Sequence, residues 1–404
     1  MSYKRLGNYI RQVNVRNRDL ETEVLLGVSI TKKLIPSIAN VIGTDMSVYK
    51  IIEKRQFAYG TVTSRNGEKI SIALSDQYDK ALVSLIYVVF EVIDTEELLP
   101  EYLMMWFSRP EFDRYVRFHS HGSTRETFDW ADMCEVELPI PSIEEQRQIV
   151  AQYQSIANKI KVNEQICEKL EATAQALYKH WFVDFEFPVG HCEESGTNYE
   201  EIAALVAEER GLYEVAKKAG YKSSGGKMVW NEELGKEIPE GWEVGNLSDL
   251  IIVKYGKDYK HLKKGKIPLY GSGGIMNYVD EVLYDGPSVL IPRKGSLNNI
   301  LYVKSQFWSV DTMFYSIPRL DNVLNYTFNI LSKLDFNSLN VGSAVPSMTT
   351  EYLNSISVLI PFKEILASFE NEINKIEDYK ISVSTQNQKL TQLQSLLLSR
   401  LVRK

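Results

Sequence analysis

Residues 122–141 read GSTRETFDWADMCEVELPIP, and residues 342–361 read GSAVPSMTTEYLNSISVLIP. Both stretches have the same length, open on Gly-Ser and close on Ile-Pro, so Gly342 repeats Gly122 and Pro361 repeats Pro141. Each precedes a long polar segment without Pro or Gly, from Ser142 to Val183 and from Phe362 to Lys404. A proline just ahead suits a helix start, and nothing breaks the helix afterwards. Two helices of about 40 residues are expected, each spanning about 60 Å.

The two segments share one heptad phase as well as the offset between Gly122 and Gly342. The first presents Tyr153, Ile156, Ile160, Asn163, Cys167, Leu170, Ala174, Leu177 and Trp181. The second presents Ile373, Ile376, Lys380, Val383, Asn387, Leu390, Gln394, Leu397 and Leu401. Steps alternate between three and four residues, the period of a coiled-coil seam. Asn163, Lys380, Asn387 and Gln394 interrupt it; polar residues at such positions fix register and partner at some cost in stability.

The regions ahead of the helices repeat more loosely. Leu6-Gly7-Asn8-Tyr9-Ile10 resembles Leu247-Ser248-Asp249-Leu250-Ile251, and Ser64-Arg65-Asn66-Gly67 resembles Pro292-Arg293-Lys294-Gly295. Tyr102 and Tyr326 each begin a short helix-like stretch. Val, Ile, Tyr and Phe between Gly, Asn, Asp and Ser turns predict short strands there, such as Leu82–Val92 and Ser288–Pro292. The organisation follows: a globule over 1–141, a long helix over 142–187, an acidic linker with a short helix over 188–237, a second globule over 238–361 and a second long helix over 362–404. The linker carries an amphipathic stretch, Tyr199–Ala219, and a turn at Ser223-Ser224-Gly225-Gly226.

Composition is that of a folded protein, 44% hydrophobic and 25% charged over 404 residues, which excludes a disordered or collagen-like chain. No apolar run reaches membrane-spanning length, and Met1–Leu20 lacks a signal-peptide core. Cys134, Cys167 and Cys192 have no metal or redox spacing and read as reduced thiols of a cytoplasmic protein. Net charge is −7, but its distribution is uneven. Glu186–Glu240 holds 12 acidic residues against 6 Lys or Arg. Ile251–Ser305 holds 9 Lys or Arg against 4 acids, and Met1–Pro36 holds 7 against 3. Local basic patches, not net charge, are the footprint of phosphate binding.

Catalytic motifs are missing. There is no phosphate loop, nucleophile elbow or HExxH metal motif. His119 and His121 lie near Arg117 without a third ligand, and His191-Cys192-Glu193-Glu194 lacks the spaced partners of a zinc site. Tyr270-Gly271-Ser272-Gly273-Gly274 reads as a tight loop or a close backbone approach to a ligand, not as a dinucleotide fold.

Together, Leu138-Pro139-Ile140-Pro141, the run Glu144-Glu145-Gln146-Arg147-Gln148-Ile149-Val150, the long helix behind them and the repeat of the whole plan resemble the specificity (S) subunit of type I restriction–modification systems. Lys222-Ser223-Ser224-Gly225-Gly226, Ile238-Pro239-Glu240-Gly241-Trp242 and the stretch from Phe307-Trp308 to Asp311-Thr312-Met313-Phe314-Tyr315 extend the likeness over essentially the full length. The second copy departs at Phe362-Lys363-Glu364-Ile365, where the first has its Glu-Glu-Gln-Arg run.

The resemblance implies an α+β chain: two α/β target recognition domains separated by two long helices in an antiparallel coiled coil, with an internal pseudo-twofold repeat. It implies a non-catalytic subunit that reads two half-sites of double-stranded DNA across a fixed spacer. Its partners would be two methyltransferase (M) subunits and two restriction (R) subunits. No cofactor is expected in this chain; S-adenosylmethionine belongs to the methyltransferase, and ATP and Mg to the restriction partner. Faces around Glu144–Gln148 and Ala172–Trp181 are the expected partner contacts, with Trp181 and Phe182 either joining that surface or forming core. Lys and Arg on loops position phosphates, while a few side chains read base edges. In the first half the candidates are Arg11, Arg16, Arg18, Lys32, Lys33, Arg65 and Arg125. In the second they are Lys254, Lys257, Lys260, Lys263, Lys264, Arg293, Lys294 and Ser296, with Ser343 in the second Gly-Ser loop. Expected seam residues are Tyr153, Ile156, Ile160, Leu170, Leu177, Ile373, Ile376, Val383, Leu390 and Leu397. Two other readings share parts of this plan: the specificity subunit of a single-chain restriction–methylation enzyme, and a coiled-coil scaffold whose globules bind protein.

Overall fold

Helices of 40 and 38 residues, Ile143–Phe182 and Lys363–Arg400, are the longest elements of the computed structural model. The structure describes residues 3–37, 43–64, 66–67, 69–122, 125–188, 220–336, 338 and 348–401. Tyr199–Ala219 and the His191–Glu194 cluster fall outside them. The chain forms two compact units, Met1–Asn163 with Thr385–Lys404, and Glu164–Ser384.

The first unit runs through β1 (Tyr3–Arg5), β2 (Ile10–Val13), β3 (Leu25–Val28), β4 (Leu34–Pro36), β5 (Lys50–Glu53), β6 (Phe57–Gly60), β7 (Ile72–Leu74), β8 (Lys80–Val83) and β9 (Tyr87–Val92). Helices α1 (Pro100–Phe107), α2 (Pro110–His119) and α3 (Trp130–Glu135) follow, then β10 (Glu137–Pro139) and α4 (Ile143–Phe182). An antiparallel sheet has the order β2-β9-β6-β7, and a mixed sheet the order β4-β3-β8-β5, with β3 and β8 parallel. All four residues of β6 are buried because both faces of the strand are covered: Phe57 and Tyr59 pack in the main core, and Ala58 in a second core with residues of the mixed sheet. α1 and α2 each begin on a proline, which has no N–H to leave unpaired. Their apolar faces meet Phe57, Tyr59 and Phe90 in the main core.

The second unit runs through β11 (Met228–Asn231), β12 (Lys236–Pro239), β13 (Glu243–Asn246), α5 (Leu247–Leu250), β14 (Ile251–Tyr255), β15 (Lys264–Gly271), β16 (Gly274–Val279), β17 (Ser288–Pro292), β18 (Leu301–Val303), β19 (Trp308–Ser309) and β20 (Met313–Pro318). Then come α6 (Leu324–Ser332), α7 (Thr350–Asn354), β21 (Ser357–Ile360) and α8 (Lys363–Arg400). The antiparallel sheet β14-β20-β17-β18 repeats the strand order of the first. The sheet β16-β15-β19 repeats the mixed one, again with one parallel pair. β13 pairs with β21 as β1 pairs with β10.

A tyrosine fastens each copy. Tyr102 Oη donates to the Pro139 carbonyl at 3.1 Å, and Tyr326 Oη to the Leu359 carbonyl at 2.8 Å. The start of α4 is clamped by Gln146, which is fully buried. Its amide donates to the carbonyls of Glu97 and Pro141 and accepts from the Leu99 N–H. Gln146 is therefore part of the fold rather than of an exposed partner surface. Arg147 beside it pairs with Glu96 at 2.9 Å. At the same offset in α8 stands buried Leu366, so the second unit closes this contact with apolar packing.

Within each unit the two long helices run antiparallel. In the first, Val150 and Tyr153 share a core with Leu398 and Leu401. Asn163 Nδ2 donates to Gln386 Oε1 and Asn387 Oδ1, each at 2.7 Å, and Asn387 Nδ2 donates to the Ile160 carbonyl. In the second unit Lys380 pairs with Glu171 across the helices and with Glu377 on its own. Trp181 and Phe182 pack on Phe369, and Phe182 also on Tyr326, so this aromatic end is core. Tyr153, Ile156, Ile160, Leu170, Leu177, Ile373, Ile376, Val383, Leu390 and Leu397 are each buried or half-buried.

Candidate nucleic-acid interface

The Gly-Ser loop of the first unit folds against the segment leaving β6. The Phe128 N–H donates to the Thr61 carbonyl at 2.9 Å, and the Thr63 N–H to the Glu126 carbonyl at 3.0 Å. His121 and Thr127 exchange both backbone hydrogen bonds, closing the loop on itself. Gly122 adopts a φ of +130°, and a Cβ there would meet the Arg125 carbonyl oxygen at 2.3 Å. Only glycine fits this turn.

Basic side chains edge this loop pair. Arg117 Nη1 donates to the Gly67 carbonyl at 3.3 Å, joining α2 to the loop after β6. Lys69, Arg114, Arg117 and Arg125 are exposed. Phe118 stands 82% exposed at the end of the same helix, beside the His119 ring. Glu111 pairs with Arg114, and Asp132 lies 3.9 Å from His121, so the edge is basic but not free of acid. Lys69, Arg114 and Arg117 are not distinguishable from ordinary surface charge in the sequence; the fold ties Arg117 to the loop after β6. Their sequence neighbourhood is not basic enough to single them out.

The second unit makes the corresponding joint. The Met348 N–H donates to the Arg293 carbonyl at 2.9 Å. Phe128 and Met348 keep the offset of Gly122 and Gly342, so Arg293 corresponds to Thr61, not to Arg65 as the sequence suggested. Arg293 is half-buried and held in place. Its N–H donates to the Thr312 carbonyl, Nη1 donates to the Asp311 carbonyl, and the guanidinium lies 5.6 Å from the Tyr255 ring centroid. Lys294 and Ser296 follow, exposed, around Gly295 at a φ of +85°. A Cβ on Gly295 would meet Ser272 Oγ at 2.8 Å, and Asn299 Nδ2 donates to the Ser272 carbonyl at 2.7 Å. This loop therefore touches the tip of the β15–β16 hairpin. Lys254, Lys257, Lys260, Lys263 and Lys264 are all exposed, on β14, on the segment between the strands and at the base of that hairpin.

The remaining candidates are dispersed. Arg65 and Ser343 lie outside the described residues. Arg11 is committed to Glu91, at 2.7 Å, and Arg16 donates to the Val48 carbonyl. Arg18 and Lys33 are exposed. Lys32, expected on the surface, is instead held inside. Its side chain is only 9% exposed, pairs with Asp113 at 2.9 Å and donates to the Phe107 carbonyl. Burial lowers its pKa, and Asp113 opposes the shift. A side chain held inside by a carboxylate cannot also neutralise a phosphate.

Among the described residues no group of three or more His, Cys, Asp or Glu is arranged to hold a metal, and no helix is long and apolar enough to cross a membrane.

A family model described as the type I restriction modification DNA specificity domain matches the chain twice, over residues 36–172 and 239–395. The chain is 26% identical to the type I restriction enzyme HindI specificity subunit of Haemophilus influenzae, with 90% of this chain and 89% of that one covered. It is 23% identical to the MjaIX specificity subunit of Methanocaldococcus jannaschii, over 77% and 70% of the two chains. Its fold is similar to the crystal structure of a type I restriction–modification S subunit from M. genitalium, with a TM-score of 0.59, 14% identity, and 99% and 95% of the two chains covered.

Proposed function

Because the chain belongs to the type I restriction–modification DNA specificity family, we propose that it reads a bipartite DNA target, one half-site per unit, and brings methyltransferase and restriction subunits to it. Relatives across nearly its whole length are named specificity subunits, which are non-catalytic components of restriction–modification systems, and so is this chain. The observation that carries the reading is the repeated loop joint, Thr61 with Phe128 and Arg293 with Met348, edged by Arg117 and Arg125 in one unit and by Lys294 and Lys257 in the other. Repeated folds with separate basic edges suit two separate contacts on one polyanion.

On this reading Thr61–Ser64 and Gly67 with Gly122 and Arg125 face one half-site, and Arg293–Ser296 with the lysines from Lys254 to Lys264 faces the other. The first recognition domain precedes α4; the second precedes α8 and begins with the β11–β12 hairpin, ahead of the boundary at 238 read from the sequence; α4 and α8 set the spacer. Two M subunits with S-adenosylmethionine and two R subunits with ATP and Mg complete the cytoplasmic complex. Salt titration of DNA binding by this chain with its methyltransferase tests the reading. Arg293→Ala with Lys294→Ala should lower the slope of log affinity against log salt by about one per lost phosphate contact. An unchanged slope and affinity in that variant would remove the loop from the interface.

A further inference from the structure

The β15–β16 hairpin presents an open apolar edge. β16 is an edge strand, paired only with β15. Its sequence, Gly274-Ile275-Met276-Asn277-Tyr278-Val279, contains no charge. Ile275 is 51% exposed and Met276 54%, with Asn277 and Tyr278 also exposed. Soluble proteins protect such edges with charges, prolines or a covering element, because an open apolar strand aggregates. Here the charges sit beside the strand instead: Lys263, Lys264 and Lys266 are all exposed on β15 and its approach. Two exposed acids, Asp280 and Glu281, follow β16, and Asp280 Oδ1 accepts the Lys263 backbone N–H, so the lysines outnumber the acids by one.

We infer that this hairpin enters the DNA major groove, with Ile275 and Met276 against thymine methyl groups and the three lysines on flanking phosphates. The inference rests on the DNA reading above and names the element that reads bases. A two-stranded ribbon with strands about 4.8 Å apart fits a groove about 12 Å wide. Apolar side chains recognise the thymine methyl, the one apolar group on a base edge there. The basic surround favours a polyanion over an apolar protein partner. The hairpin is also aimed: its tip at Ser272 is tied to Asn299 and abuts Gly295, beside Arg293 and Lys294. Gly273 and Gly274 at the tip leave open space where a Cβ would stand, as close approach to a groove floor requires.

The first unit repeats the device. Hairpin β3–β4 also ends its mixed sheet on an edge strand, its inner strand likewise pairs in parallel with a later one, and it exposes Ile30, Ile35 and Lys33.

The test uses the full chain with its methyltransferase and duplexes of its own target, in which each thymine in turn is replaced by uracil. This removes one methyl group and nothing else. At one or two thymines of the half-site that this hairpin reads, the native complex should lose about fourfold in affinity. The variant Ile275→Ala with Met276→Ala should lose that penalty there and keep every penalty in the other half-site. A second variant, Lys264→Ala, should weaken all duplexes alike and keep the uracil penalty. Equal uracil penalties in native and Ile275/Met276 variant complexes, or a half-site pair with no methyl-dependent thymine, would overturn the inference. A native complex that prefers no sequence would instead remove the DNA reading beneath it, and both would fall.

Discussion

The amide of Phe128 donates to the carbonyl of Thr61 at 2.9 Å, binding the Gly-Ser loop to the strand that leaves the centre of the first sheet. Met348 and Arg293 repeat that bond in the second unit, so one backbone contact defines the same surface twice. In the first unit it depends on a turn at Gly122 that no Cβ can share.

Gly122→Ala should therefore distort the first joint alone, at a cost of about 2 kcal/mol. In methylation mapping, discrimination at one half-site should weaken while the other stays strict. Chemical denaturation of the purified complex should show the lost stability. Equal loss of strictness at both half-sites would contradict the separation of the two joints.

The Lys32–Asp113 pair is structural. Lys32→Met leaves Asp113 buried without its partner, although the Ile70 N–H still donates to it. The expected cost is about 3 kcal/mol, against less than about 0.5 kcal/mol for Lys33→Ala on the surface. Urea melts of the two variants separate these outcomes; equal small effects would return Lys32 to the list of contact residues.

Glu370 on α8 accepts from the N–H and Nδ2 of Asn325. Burial raises its pKa above the ordinary value of 4.5, opposed by the Asn325 hydrogen bonds, by the charge of Lys304 and by the Tyr302 hydroxyl. A carboxyl raised on folding contributes most below its unfolded pKa, and stability is lost as pH rises through the folded value. Glu370→Gln keeps an acceptor for Asn325 and removes the charge. The variant should be more stable than the native chain at neutral pH, and the gap should close as pH falls towards 4.5. Thermal melts across that range check the sign; a gap that widens in acid would contradict it.

Much of this architecture was legible in the sequence because periodicity and repetition are local signals. The echo of Gly-Ser to Ile-Pro set the two copies in register, and the heptads named Leu170, Ile373 and Ile376 as inward-facing. Long-range burial was not legible. Lys32 and Lys33 are adjacent and chemically identical, and only the approach of Asp113, from a distant helix, separates a buried ion from a surface one. Gln146 reads as one more polar residue of a helix start until three backbone groups converge on its amide. Arg65 and Arg293 looked equivalent because both lie in basic Gly-containing loops, whereas the hydrogen bonds align Arg293 with Thr61.

Seven residues inserted in phase into both long helices should lengthen each by about 10 Å, or about 3 base pairs. On the proposed reading the half-sites stay the same and the spacer between them grows. An unchanged spacer in the variant's methylation pattern would contradict the helices' role in setting it.

The central claim is that this chain reads one bipartite sequence. Co-expressing it with the methyltransferase subunit from its own operon and mapping adenine methylation across the host genome tests that most directly. The account predicts a single motif of two half-sites with a fixed gap, lost when this chain is omitted. No new methylation, with both proteins soluble and associated, would contradict it.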